Sequence, residues 1–396
     1  MTELMSAHNQ WARRRPDERF ASLTAMLGAA QRKFERSREH AMRTGSIKVE
    51  ADNNNGLTFV GSHGEATPSN YAFKQFCNRV GFLPSAAETL NADLVAKCLN
   101  YRIGETDKRD DGEGNTQFLV EDGDHGEKTI RAATSDSYAR FHDKDFIPTL
   151  MDLENRGWRV PPCRPVFEGQ PGTRPATADE VGMWGKGGVQ IKEGDPIAPG
   201  NIYMGDRDMF VLMANPERST DDGGGHALMR GIMASNSEVG ARSLKLTTFL
   251  MQSVCGNAII WGAQDIVEVS YRHIGKARAR IKEALGNLKI GDQDNWEREL
   301  SVINWMRKNK LGDTKEAVIE NVYGQRIDNL ITKGLIGNAI DNAIRHDSDD
   351  GSPYTWYGFA NALTRYSQTM PNMDTRMGID TAAGKIFDKA AKLVGV

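Results

Sequence analysis

Residues 231–250, GIMASNSEVGARSLKLTTFL, set a tight polar cluster, Asn236-Ser237-Glu238-Val239-Gly240, between two apolar runs. Ile232 and Ala234 alternate with Met233 and Ser235 before the cluster. After it, Leu244, Leu246, Thr248 and Leu250 alternate with Lys245, Thr247, Phe249 and Met251. Both flanks therefore carry the two-residue period of half-buried strands, and Gly240 can take the positive φ of a hairpin turn. Ser235 and Glu238 also fit a capping box that opens a helix. The alternating, partly β-branched residues after Arg242 favour the hairpin.

Outward from this stretch the pattern changes on both sides. From Thr129 to Val267 the chain reads as strands and loops punctuated by prolines, which would break helices. Met209–Met213 is a short apolar run suited to a strand buried on both faces. Beyond Tyr271, KARARIKEAL, NWERELSVINWM, DTKEAVIENVYG and DNLITKGLIGNAIDNAI all show helical spacing. Towards the N-terminus, Leu23, Met26, Leu27, Ala30 and Phe34 form the apolar face of a helix whose outer face carries Arg32, Lys33, Arg36 and Arg38. NYAFKQFCNRVG predicts a second helix stopping at Gly81, and a third spans Asp93 to Tyr101. Phe118-Leu119-Val120 reads as a strand within an acidic, glycine-rich insertion. The expectation is an α+β chain: a strand-rich central sheet region flanked by N-terminal helices and a helical C-terminal third. The expected division is a basic helical segment over 1–44, an α+β core over 45–270 with an acidic loop insertion near 104–128, and a helical region over 271–396.

With 396 residues, 39% hydrophobic and 26% charged, the chain can bury a sizeable core. It has no apolar run of 18 residues, and its N-terminus lacks an apolar stretch after the charges, so neither a membrane span nor a signal peptide is expected. The expected location is the host cytoplasm. Four cysteines without a CxxC pair fit reduced, buried thiols. The net charge of −3 is unevenly spread: the first fifty residues are basic, and the insertion is acidic.

GxGxxG, a Walker A loop, HExxH and GxSxG are all absent, so no catalytic residue and no cofactor is expected. The eight histidines show no metal-ligand spacing with one another. Asp122, Asp124 and Glu127 supply carboxylates but not the twelve-residue calcium loop, so they read as a solvated acidic loop and no metal is expected. The stronger signal is basic and aromatic. In YRHIGKARARIKEAL, Arg272, His273, Lys276 and Arg280 fall on one arc of a helix beside Tyr271, the arrangement a phosphate track with a stacking ring requires. RAATSDSYARFHDKD adds Arg131, Tyr138 and Arg140. Around the hairpin, Arg230, Arg242 and Lys245 add charge, while Asn236 and Ser237 can donate hydrogen bonds at its tip. Glu238 is expected to orient Arg242 or Lys245, not to touch nucleic acid itself. Trp356, Phe359, Leu363 and Tyr366 form a stripe on a helix entered at Ser352-Pro353, read as core, with self-association the alternative.

RAATSDSYARF, GWRVPPCRP, IAPGNIYMGDRDMFVLM, GIMASNSEVGARSLKLTTFLMQSVCGNAIIWG, YRHIG and TWYGFANALTRY together resemble a phage- and plasmid-encoded family described as a phage/plasmid-like domain of unknown function. The resemblance runs in order from about Tyr71 to Tyr366 and implies a setting in mobile-element DNA metabolism. At fold level there is a more distant similarity to ring-forming phage single-strand annealing proteins. The expected function is single-strand-preferring nucleic-acid binding in recombination or replication by a homo-oligomer. A host–phage conflict protein that binds a protein partner is the runner-up, and a metal-dependent nuclease the third reading.

Overall fold

The computed structural model describes residues 18–20, 22–52, 56–107, 114–160, 174–178, 192–197, 202–223, 227–242, 244–252, 257–259, 269–271, 296–345, 351–367, 369–370 and 373–395. In chain order the elements begin with β1 (Arg19–Phe20), α1 (Leu23–Arg36), β2 (Ser37–Arg43), β3 (Lys48–Ala51), β4 (Leu57–Gly61) and β5 (Gly64–Pro68). Next come α2 (Asn70–Val80), α3 (Ala92–Asp107), β6 (Asn115–Asp122), β7 (Lys128–Ser135) and α4 (Asp143–Glu154). The middle holds β8 (Arg174–Pro175), β9 (Pro196–Ile197), β10 (Ile202–Met204), β11 (Met209–Asp221), β12 (Ala227–Asn236), β13 (Leu244–Gln252), β14 (Asn257–Ile259) and β15 (Val269–Tyr271). The chain ends in α5 (Glu297–Lys308), α6 (Lys315–Gly324), α7 (Lys333–Arg345), α8 (Trp356–Ser367) and α9 (Met373–Val394). The fold is α+β.

The hairpin reading holds. β12 and β13 are antiparallel, with Ala234 opposite Leu246 and Ser235 opposite Lys245, and Gly240 in the connection has φ +80°. They lie inside a sheet ordered β1-β10-β11-β12-β13-β14, in which β15 also pairs β13. Met209 to Met213 is buried on both faces, as its unbroken apolar run implies. One face of this sheet packs Val211, Met213, Ile232, Ala234, Leu244 and Leu246 against α1 and α4.

The N-terminal helices are interleaved with a second sheet, ordered β2-β6-β7-β5-β4-β3, of which the sequence showed Phe118–Val120 in β6 and the start of the strand-rich stretch at Thr129 in β7. α2 and α3 cover one face, burying Phe73, Phe76, Val95 and Leu99 against Phe59 and Phe118. α2 begins at Ser69, whose hydroxyl accepts from Ala72 N at 3.2 Å, and ends at left-handed Gly81. The N-terminal segment stays helical only to Arg36, and Ser37–Arg43 is a strand. Most of the expected acidic insertion is ordinary structure: α3 runs to Asp107, and β6 and β7 form a hairpin around it. Within that turn Asp124 pairs Arg36 at 2.6 Å, and Glu127 accepts from His125 N at 3.0 Å.

α4 corrects the helix-free reading of the middle region. Phe146, Ile147, Leu150 and Leu153 supply a buried face that tolerates Pro148 within the helix. Three of the four C-terminal helical runs fold as expected and join α8 and α9 in a bundle around Val302, Phe359, Leu363 and Phe387; KARARIKEAL lies outside the described residues. The stripe of α8 is core in this chain, and Thr355, not Ser352, receives the Gly358 N–H at the helix start, at 3.1 Å. Among the described residues no helix is long and apolar enough to cross a membrane.

Candidate nucleic-acid interface

The SNSEVG tip does not project into solvent. It is inserted between the two sheets, where Val239 packs against Leu119 and Ala132 of the second sheet, with Tyr71 and Ala241 alongside. Gln75 of α2 fixes its backbone, donating to Val239 O at 2.7 Å while accepting from Ala133 N at 3.0 Å. Ser237 Oγ donates to Arg207 O at 2.5 Å and accepts from Ala241 N at 2.9 Å, which closes the turn on itself. Asn236 Nδ2 donates to Phe141 O at 2.9 Å and to Asp143 Oδ1 at 2.7 Å.

Glu238 is the centre of this junction. Its carboxylate accepts from Arg131 Nη2 at 3.1 Å and from the Asp143 N–H, at the start of α4, at 3.0 Å. His142 Nδ1 stands 3.5 Å away. The Glu238 carbonyl accepts from Arg140 Nη1, while Arg140 Nε reaches Glu39 at 2.8 Å. Burial alone would raise the Glu238 pKa, but the His142 hydrogen bond and the charges of Arg131 and Lys33 outweigh it and hold the group well below the usual carboxylate range. Asp143 goes the other way, pushed up to about 8 by burial and then by the Glu238 charge, with the Asn236 hydrogen bond opposing. One carboxyl of the pair is thus ionised and its neighbour protonated near neutral pH.

Arg242 was expected to be one of two partners for Glu238; instead Arg131 bonds the carboxylate, and Arg242 Nε bonds Asp208 at 2.9 Å. Arg242 also stacks on Phe210 at 4.7 Å, and Arg207 stacks on Tyr71 at 4.5 Å. Tyr138 donates to Ser237 O at 3.3 Å and lies 5.3 Å beneath Arg140. These stacks form a rim of guanidinium planes and rings around the buried tip. Tyr71, Arg207 and Arg242 are half-buried, so parts of the rim meet solvent.

The sequence-predicted residues therefore separate into five groups. Arg131, Asn236, Ser237 and Glu238 are buried in the junction. Arg140, Tyr138 and Arg242 line its rim. Arg230 sits apart, bonded to Glu299 at 2.8 Å and stacked 4.4 Å over Trp296, where it ties the central sheet to α5. Lys245 lies in β13 and Tyr271 in β15, the short strand paired with it, with Ser270 opposite Lys245 and Tyr271 opposite Leu244. Arg272, His273, Lys276 and Arg280 lie outside the described residues. Sequence reasoning missed Tyr71, Gln75, Arg207 and Asp208; the turn sequence GDRD at 205–208, between two apolar strands, was the available signal.

Among the described residues no group of three or more His, Cys, Asp or Glu side chains is placed to hold a metal ion. No curated protein and no solved structure matches the chain. Residues 190–382, just under half of the chain, match the family model described as a domain of unknown function, DUF932; the match includes the hairpin tip but not Arg131 or Asp143, into which it docks.

Proposed function

We propose that the chain is a single-strand-preferring nucleic-acid-binding protein acting as an oligomer in mobile-element recombination or replication. The contact surface is the rim around the hairpin tip, and Arg272, Lys276 and Arg280 are the further phosphate contacts we propose from the sequence. The observation carrying this reading is the half-buried stack of Arg207 on Tyr71, with the half-buried Arg242 lying over the buried ring of Phe210. Held this way, the two guanidinium groups offer charge for phosphates, and they and the Tyr71 ring offer flat faces for unpaired bases. The register of β13 with β15 sets Tyr271 opposite Leu244 and Ser270 opposite Lys245. With a net charge of −3, attraction to phosphate has to be local to such a patch. The buried tip shapes the surface and does not contact the strand.

Fluorescence anisotropy with labelled single- and double-stranded oligonucleotides tests this. Single-strand affinity should exceed duplex affinity and fall steeply between about 50 and 200 mM salt. Replacing Arg207 and Arg242 together by Gln should weaken binding and flatten the salt slope, with the fold checked by circular dichroism. Absence of binding by the native protein at the lower salt concentration would sink the reading.

A protein partner is the second reading, favoured by one observation. Leu94 and Tyr101 lie seven residues apart on α3, 45% and 67% exposed, close in sequence to exposed Leu83. Such a partner would show a much shallower salt dependence.

A further inference from the structure

The two-residue turn between β4 and β5 holds a histidine turned inward. His63 is only 2% exposed, whereas turn residues ordinarily face solvent. Its Nδ1 lies 2.8 Å from the Gly64 carbonyl. A carbonyl only accepts, so Nδ1 carries the proton and the lone pair is left on Nε2. Nε2 is buried and has no hydrogen-bond partner among the described residues. Metal-ligating imidazoles are held in this way, one nitrogen tied to a backbone carbonyl and the other presented as a donor. Lys128 Nζ donates to the His63 carbonyl at 2.9 Å and fixes the turn.

Two further donors converge there. His40 and Met42 are two apart on β2 and share a face. The His40 and His63 rings stand edge to face with centroids 6.0 Å apart. Two imidazoles sharing one ion through bonds of ~2.0 Å place their centroids on the order of 5 to 6.5 Å apart. Gly61 leaves the room between sulfur and nitrogen: a Cβ there would meet Met42 Sδ at 2.7 Å and His63 Nε2 at 3.5 Å. Phe118 walls the site, its ring centroid 5.3 Å from that of His63.

We infer that His40, Met42 and His63 form a binding site for a soft monovalent metal ion, copper(I). A thioether and neutral imidazoles select soft ions over magnesium or calcium, which require oxygen donors. A neutral donor set against an aromatic wall also favours a single charge over a double one, because buried uncompensated charge is costly.

Titration of the full-length reduced protein under nitrogen, with copper(I) buffered by a chromophoric chelator and with silver(I) as a redox-inert probe, reads stoichiometry and affinity. The four cysteines can also take either ion, so the comparison with variants decides. Met42→Leu is nearly volume-conserving and should keep the fold. It should lose one bound equivalent, or hold it at least about tenfold more weakly, and His63→Gln should do the same. Thermal midpoints should rise on adding one equivalent to the native protein and not to Met42→Leu. X-ray absorption of the one-equivalent complex should show nitrogen as well as sulfur ligands. Equal stoichiometry and affinity in the native protein and folded Met42→Leu, or a complex with sulfur ligands alone, would overturn the site.

Discussion

Arg131 Nη2 stands 3.1 Å from Glu238 Oε2, and the two side chains, 4% and 5% exposed, come from different sheets. The pair is a joint: Arg131 belongs to β7, and Glu238 lies in the turn between β12 and β13. Removing Arg131 takes the bonded guanidinium from a buried carboxylate, whereas removing Glu238 leaves Arg131 with Glu121 at 3.2 Å. Arg131→Met should therefore lower unfolding free energy by ~3–5 kcal/mol. Combining it with Glu238→Gln should cost much less than the sum of the single changes. Urea unfolding of the four species measures this, and additive losses would mean that the pair does not act as a unit.

The turn itself makes a second prediction. Gly240 has φ +80°, and the Tyr138 ring lies 3.4–3.5 Å from where a Cβ would stand. Gly240→Ala should lose roughly 1–2 kcal/mol from the left-handed backbone. Gly104, in α3, has nothing within 4 Å of that position, and Gly104→Ala should gain ~0.5–1 kcal/mol. Opposite signs in thermal unfolding would support the conformational argument; equal effects would refute it.

The hairpin, the doubly buried Met209–Met213 strand and the capped α2 were legible because each is encoded within about a dozen residues by period and punctuation. The second sheet was not, since β3, β4 and β5 are only 4, 5 and 5 residues long and β5 pairs β7, in parallel, only after the whole of α2, α3 and β6 has intervened. α4 was hidden by Pro148, whose local signal is overridden by the burial of Phe146, Ile147 and Leu150. At the site, residue types were readable but partners were not. Glu238 was read as a companion of nearby Arg242, yet Arg131, more than a hundred residues away, takes its carboxylate. Long-range pairing of this kind has no periodic trace in a single sequence.

The aromatic stripe of α8 gives a third prediction. Trp356 is buried beside Trp305, with centroids 5.7 Å apart, and Phe359 and Leu363 are fully enclosed. Trp356→Ala should cost ~3–5 kcal/mol in unfolding free energy, while the sedimenting mass of the folded protein stays as in the native form. Dissociation without a stability loss would instead make the ring part of an interface between copies.

The buried carboxyl pair predicts a pH dependence whose sign follows from the two shifts. Asp143, pushed up to about 8 by burial and the Glu238 charge, keeps its proton in the folded state over a range where the unfolded chain has lost it. That contribution is complete below the unfolded value of ~3.9 and is lost as pH rises towards about 8, after which it levels off. Glu238 acts oppositely. Its lowered pKa stabilises the fold above the unfolded value of ~4.3, and that gain disappears only in acid. Between about pH 5 and 8 the Glu238 contribution is constant, so of the two carboxyls Asp143 carries the slope, while His63, its pKa lowered by burial, contributes with the opposite sign up to its unfolded value of ~6.5. The native protein should lose thermal stability across this interval. Asp143→Asn, which mimics the protonated acid and can still accept from Asn236, should flatten the slope and be the more stable form at pH 8. Melting curves at half-unit steps of pH measure both; an unchanged slope in folded Asp143→Asn would assign the titration to another group.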